Sequence, residues 1–192
     1  MGKEKFVLIY FKEEPKGNIS NVIIDFLKGI IGNYIEPILE KNVLFFFYKS
    51  DKEFMFKEII NVLSNDFFVS MSLYESGFLY SKLDKNEYLN YIKNISPKFL
   101  ECSTFYVNED KLIKLGLGNE IVKMNILKKY YNDYEMLSVI KTYLDSNMNI
   151  SHASILLYMH RNTVMKKIDK FISETGYDIR ILQKAFVIFN IL

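Results

Sequence analysis

Asn149–Gly176, NISHASILLYMHRNTVMKKIDKFISETG, is the stretch whose reading organises the chain. It reads as two helices joined by a tight turn, the first over about Ser151–Tyr158, the second from near Arg161 to Gly176. Ser151 or Asn149 can cap the first helix, because a short side-chain oxygen satisfies an orphan backbone N–H. Gly176 can close the second, since glycine enters the left-handed C-terminal conformation without steric cost. Two helices so closely connected form a helix-turn-helix unit.

At about 100° per residue, Val164, Ile168, Phe171 and Ile172 share one face of the second helix. The opposite face carries Asn162, Lys166, Asp169, Lys170 and Ser173, with Thr163 at its edge. Asn pairs bidentately with adenine, Lys with guanine, and Thr with polar edges or a thymine methyl. An ordinary amphipathic helix would show the same wheel, so periodicity alone does not decide between solvent and a DNA groove.

A resemblance does. Glu135–Ile191 resembles the C-terminal helix-turn-helix domain of the PucR/CdaR family of bacterial transcriptional regulators. It does so through His160-Arg161-Asn162-Thr163-Val164, with Leu137 and Thr142-Tyr143-Leu144-Asp145 upstream and Thr175-Gly176-Tyr177-Asp178-Ile179 downstream. Met165, Lys166 and Lys167 stand where the family usually has Arg-Tyr-Arg. Lys keeps the charge but loses the planar fork. The resemblance implies a sequence-specific regulator that inserts the Arg161–Thr175 helix into the major groove of double-stranded DNA. Asn162, Thr163, Lys166 and Lys170 are then expected at base edges, Arg161, Lys167 and Ser151 at phosphates, and His160 at the turn or a phosphate. A homodimer in the cytoplasm is expected. The rival expectation is a protein- or effector-binding module that keeps the helix-turn-helix as a scaffold.

Upstream, the chain alternates strand and helix signals. Phe6–Phe11 is a continuous apolar run, as in a strand buried on both faces. Ser20 is expected to cap a helix carrying Val22, Ile23, Phe26, Leu27 and Ile30, ended by Gly32-Asn33. Tyr34–Glu40 and Val43–Tyr48 read as a hairpin with Lys41-Asn42 at its tip and Pro37 placing the first arm at an edge. Ser50 or Asp51 is expected to cap a second helix. Phe67–Tyr74 reads as a strand, Lys85–Ile95 as a helix and Phe99–Val107 as a last strand. This order gives an α+β sheet with packed helices. It is weakly similar to the GGDEF-like domain of the same regulators. The tip Glu40-Lys41-Asn42 lacks the paired glycines and acidic residues that phosphate and metal binding would need.

Gly116-Leu117-Gly118-Asn119 reads as a joint, dividing an α+β regulatory or dimerisation domain (1–119) from an all-α DNA-binding domain (120–192). Glu120–Asn132 and Ile181–Leu192 are expected as helices. The last is apolar almost all round, so it must be buried in its own core or against a second copy. Lys and Arg number 16 against 17 Asp and Glu in residues 1–125, but 9 against 6 in 126–192. The basic bias therefore sits in the segment the motif marks, with Lys128, Lys129 and Lys141 joining the residues above as a phosphate-facing patch.

The composition, 49% hydrophobic and 25% charged, is that of a folded globular chain. The single cysteine, Cys102, fits a reducing compartment. No apolar run approaches the ~18 residues of a membrane helix, so no membrane association is expected. His152 and His160 are eight apart across a turn and make no metal face. With no nucleophile elbow, Walker loop or dinucleotide fingerprint, neither enzyme activity nor a cofactor is expected.

Overall fold

The computed structural model describes residues 3–52 and 54–192. The chain divides into two compact units, Met1–Leu112 and Ile113–Leu192. The division falls upstream of the joint suggested by Gly116–Asn119. Gly118 lies against the side chain of Ile113, where a Cβ would meet Ile113 Cδ1 at 2.3 Å. This close approach gathers the glycine stretch into the second unit.

The first unit runs β1 (Glu4–Phe11), α1 (Ile19–Ile31), β2 (Ile38–Glu40), β3 (Val43–Lys49), α2 (Phe56–Asp66), β4 (Met71–Glu75), α3 (Lys85–Glu101) and β5 (Tyr106–Asn108). The sheet order is β2-β3-β1-β4-β5. β1 is central and antiparallel to both β3 and β4, while β4 and β5 are parallel. Its burial on both faces agrees with the unbroken apolar run Phe6–Phe11. Pro37 stands just before the edge strand β2, and Lys41-Asn42 closes the hairpin with Lys41 at φ 55°.

One face of the sheet, built from Val7, Ile9, Phe11, Leu44, Phe46, Met71 and Leu73, packs on Ile23 and Leu27 of α1 and Phe56, Ile60 and Leu63 of α2. The other face meets α3 through aromatic rings. Phe6 lies 5.3 Å from Tyr88 edge-on, and Tyr74 stacks on Phe99 at 6.4 Å. Each face also buries a carboxylate. Glu75 accepts from Lys5 Nζ at 3.0 Å, Tyr48 at 3.1 Å and Tyr106 at 2.8 Å. Glu109 accepts from Tyr88 at 2.9 Å, and Tyr88 is bonded to Tyr74 at 2.7 Å.

Several boundaries differ from the sequence reading. Ser20 is not a cap but a buried residue in the first turn of α1, and Asn18 stands at the N-cap without a side-chain bond. Neither Ser50 nor Asp51 caps α2, which starts later behind Met55, also without a side-chain bond. The β4 strand begins at Met71, because Phe67 and Phe68 form a turn with Phe68 at φ 51°. The α3 helix runs through Pro97 to Glu101, taking Phe99 from the expected last strand. Pro97 cannot donate to the Lys93 carbonyl, and the Ser96 hydroxyl bonds that carbonyl at 2.9 Å instead. The burial of Phe99 favours the continuation.

The α4 helix (Glu109–Lys114) leads into the second unit, which runs α5 (Glu120–Leu127), a 3-10 turn (Lys128–Tyr130), α6 (Tyr134–Asp145), α7 (Ile150–Leu156), α8 (Arg161–Thr175) and α9 (Leu182–Phe189). The expected Glu120–Asn132 helix ends at Leu127, where Lys128 adopts φ 53°. Its core joins Val139 and Ile140 of α6, Ala153 of α7, Val164, Ile168 and Phe171 of α8, Ile179, and Val187 and Ile188 of α9. Phe171 lies 5.6 Å from Tyr130. The α9 helix is shorter than expected and is not buried all round: Ala185, Val187 and Ile188 face the core, while Leu182, Phe186 and Phe189 are exposed.

Candidate nucleic-acid interface

The α7–α8 pair is shaped by local chemistry at each end. Asn149 caps α7, its side-chain oxygen accepting from the His152 N–H at 3.1 Å. The α7 helix closes with Tyr158 N–H donating to Ile155 O at 3.1 Å and Met159 N–H to Ser154 O at 3.0 Å. This is the Schellman pattern, in which the residue placed in the left-handed region is usually glycine. Here it is Tyr158, at φ 51° and 98% exposed.

His160 caps α8, Nδ1 accepting from the Asn162 N–H at 3.2 Å. An accepting Nδ1 carries no proton, so the neutral ring holds its proton on Nε2 and can donate it outward. At the far end, Gly176 takes φ 80° and donates its N–H to Ile172 O at 2.8 Å. The Thr175 hydroxyl donates to Phe171 O at 2.7 Å and accepts from Tyr177 N at 3.1 Å.

Val164, Ile168, Phe171 and Thr175 form the buried side of α8. Arg161, Asn162, Thr163, Lys166, Asp169, Lys170 and Ser173 are exposed. The charged ends of Arg161, Lys166 and Lys170 make no hydrogen bond or ion pair among the described residues. Lys167 is placed differently: it is half-buried and holds Glu135 of α6 at 2.7 Å. Asp169 meets Arg180 at 3.3 Å. Asp178 binds Arg180 through both oxygens, at 2.8 and 3.0 Å, and is held below the usual carboxylate range by those bonds. Glu174 pairs with Lys129, which likewise lowers its pKa.

The eight sequence-selected residues thus divide. Asn162, Thr163, Lys166 and Lys170 lie on the outer face of α8, and His160 and Arg161 lie at its N-terminal end. Ser151 lies in the first turn of α7 and is exposed. Lys167 alone is tied to a neighbouring helix. Sequence reasoning missed Tyr158, whose turn position carries no compositional signal, and Arg180, whose role depends on a fold-brought neighbour. Among the described residues no cluster of His, Cys, Asp or Glu could hold a metal. No helix of the described residues is long and apolar enough to cross a membrane.

A short capped helix, a tight left-handed turn and a longer helix with a polar outer face define a helix-turn-helix domain. Residues 136–189, which hold nearly all of α6–α9, match the family model of the PucR C-terminal helix-turn-helix domain. An uncharacterized protein of Bacillus subtilis (strain 168), YxkF, is 32% identical over 60 residues, which is 31% of this chain and 20% of that protein. The match thus spans about a fifth of the relative's length. A regulator of polyketide synthase expression from Bifidobacterium adolescentis is similar in fold over 100% of this chain and 79% of its own, with TM-score 0.50 and 12% identity.

Proposed function

We propose that the chain is a transcriptional regulator whose α8 helix enters the DNA major groove. The carrying observation is the outer face of α8. Asn162, Thr163, Lys166 and Lys170 stand exposed on a helix-turn-helix of the PucR type, and neither lysine ammonium makes a hydrogen bond or ion pair among the described residues. Asn162 and Thr163, in the first turn of α8, are suited to base edges, as the N-terminal residues of a recognition helix are. Lys166 extends that reading and Lys170 follows one turn on. Arg161, Ser151 and the Nε2 proton of His160 bind phosphates, joined by Tyr158 from the turn. Lys167 contributes once released from Glu135.

Two copies reading adjacent half-sites in the cytoplasm complete this account. The first unit, Met1–Leu112, serves as a GGDEF-like, non-catalytic regulatory domain answering a small-molecule or protein effector. The order β1-α1-β2-β3-α2-β4-α3-β5 supports that assignment, and the Glu40-Lys41-Asn42 tip supports the absence of cyclase chemistry. The interaction-module reading draws support from α7, which carries no charged residue and exposes Ile155 and Leu156.

Fluorescence anisotropy with a random-sequence duplex at two salt concentrations tests the proposal. Wild type should bind with affinity that falls steeply as salt rises. Lys166→Glu/Lys170→Glu should bind at least tenfold more weakly. Absence of binding by wild type at low salt would favour the interaction module.

A further inference from the structure

Asp169 stands at the centre of the outer face of α8, in line with Asn162, Lys166 and Ser173, and is exposed. At about 100° per residue it lies only about 20° around the helix from Asn162, seven residues further on. That is about 10 Å along the axis, the span of about three base pairs. A carboxylate in that position opposes the phosphates that the neighbouring cations attract.

Its ion pair is with neither Lys166 nor Lys170. Arg180 Nη1 meets Asp169 Oδ1 at 3.3 Å. Arg180 is itself held by Asp178, through Nε at 2.8 Å, Nη2 at 3.0 Å and its backbone N–H at 3.1 Å. Two acids around one guanidinium leave this cluster with a net negative charge, so the pairing does not cancel Asp169. Its second oxygen, Oδ2, makes no hydrogen bond or ion pair among the described residues. The brace also keeps the carboxylate off Lys166, three residues back on the same face, where pairing would silence both charges.

We propose that Asp169 reads a cytosine in the major groove and that Arg180 is its positioning residue. The proposal deepens the groove reading above and rests on it. A carboxylate only accepts hydrogen bonds. Cytosine alone offers a donor, its N4 amino group, with no acceptor beside it on its own edge. Adenine sets N7 beside its amino group, and guanine and thymine present acceptors. Asp169 therefore lowers affinity for every duplex and returns the loss only where cytosine stands, which is how a repulsive group creates specificity.

Selection from a random duplex pool tests this on the full chain, together with random-duplex anisotropy and a circular-dichroism melt. Wild type should enrich cytosine about three base pairs from the position whose preference Asn162→Ala loses. Asp169→Asn, isosteric at an exposed site, should lose that cytosine, bind random duplex at least threefold more tightly and melt as wild type does. Arg180→Gln should weaken the same preference yet bind random duplex no more tightly, because it removes a positive charge. A link that merely ties the segment after α8 to the helix would shift the melt and leave the enriched sequence unchanged, and that result overturns the proposal. So does Asp169→Asn binding random duplex no more tightly than wild type. Wild type that enriches no sequence overturns the groove reading and this proposal together, whereas one enriched sequence shared by wild type and Asp169→Asn sinks this proposal alone.

Discussion

The two units hold their helices by different means. In the second, four successive helices begin at a side-chain cap: Asn119 for α5, Asp133 for α6, Asn149 for α7 and His160 for α8. In the first, Asp84 caps α3 and Asn108 caps α4 at the unit's end, its side-chain oxygen accepting from the Lys111 N–H at 3.0 Å, but α1 and α2 begin with no side-chain cap. Those helices start where the sheet needs cover, and their cores end in carboxylates bonded by buried tyrosines. Local chemistry sets the boundaries of the helical unit; tertiary packing sets those of the sheet unit.

The largest expected effect strikes the buried carboxylate. Glu75→Ala leaves the Lys5 ammonium and the Tyr48 and Tyr106 hydroxyls without their acceptor, at about 3–5 kcal/mol. Urea denaturation should show that loss in the first unit, with the second unit's transition unmoved. Equal loss in both would break the comparison.

Alkali should divide the units next. Burial first, and then the nearby Glu75 or Glu109 charge, raises the phenols of Tyr48, Tyr74 and Tyr88 above their ordinary value of 10.0. The folded state keeps these protons where the unfolded chain has released them. Their stabilisation is full below pH 10 and is lost above it, by about 1.4 kcal/mol per pH unit for each phenol. In the second unit burial also raises Tyr130 and Tyr143, but Lys129 and Arg180 oppose the shift. Tyrosine absorbance and circular dichroism followed together should show the first unit unfolding first.

Caps give a smaller effect on the other side. Asp133→Ala or Asn149→Ala removes an acceptor for a helix N-terminal N–H and should lower the second unit's stability by about 1 kcal/mol each. Calorimetry would show it. The smallest expected change has the opposite sign. Tyr158→Gly relieves a side chain held at φ 51° and should raise stability by about 0.5 kcal/mol. It should also weaken binding to duplex DNA, because the exposed phenol is lost.

This division explains what the sequence disclosed. Asn149 and Gly176 carry their boundary signals in their own side chains or lack of one, so α7 and α8 were legible to within two residues, whereas His160, expected at the turn or a phosphate, shows its capping role only in the fold. The hairpin at Lys41-Asn42 and the edge position after Pro37 were legible for the same reason. Ser20 and Ser50 looked like caps, yet the α1 and α2 starts are governed by burial of Ile23 and Phe56. The helix expected over Lys85–Ile95 runs on through Pro97 to Glu101, with the Ser96 hydroxyl bonded to the Lys93 carbonyl that Pro97 cannot reach. At the interface, residue types on α8 could be placed by periodicity alone. The partners of Lys167 and Asp169 could not, because Glu135 and Arg180 reach them only through the fold.

Selection of bound sequences from a random duplex pool, with wild type and Asn162→Ala in parallel, tests groove reading by α8 most directly. Wild type should enrich a defined sequence. Asn162→Ala should lose preference at one position per half-site while keeping its affinity for random duplex. Identical sequences enriched by both proteins, or none enriched by either, would contradict the account.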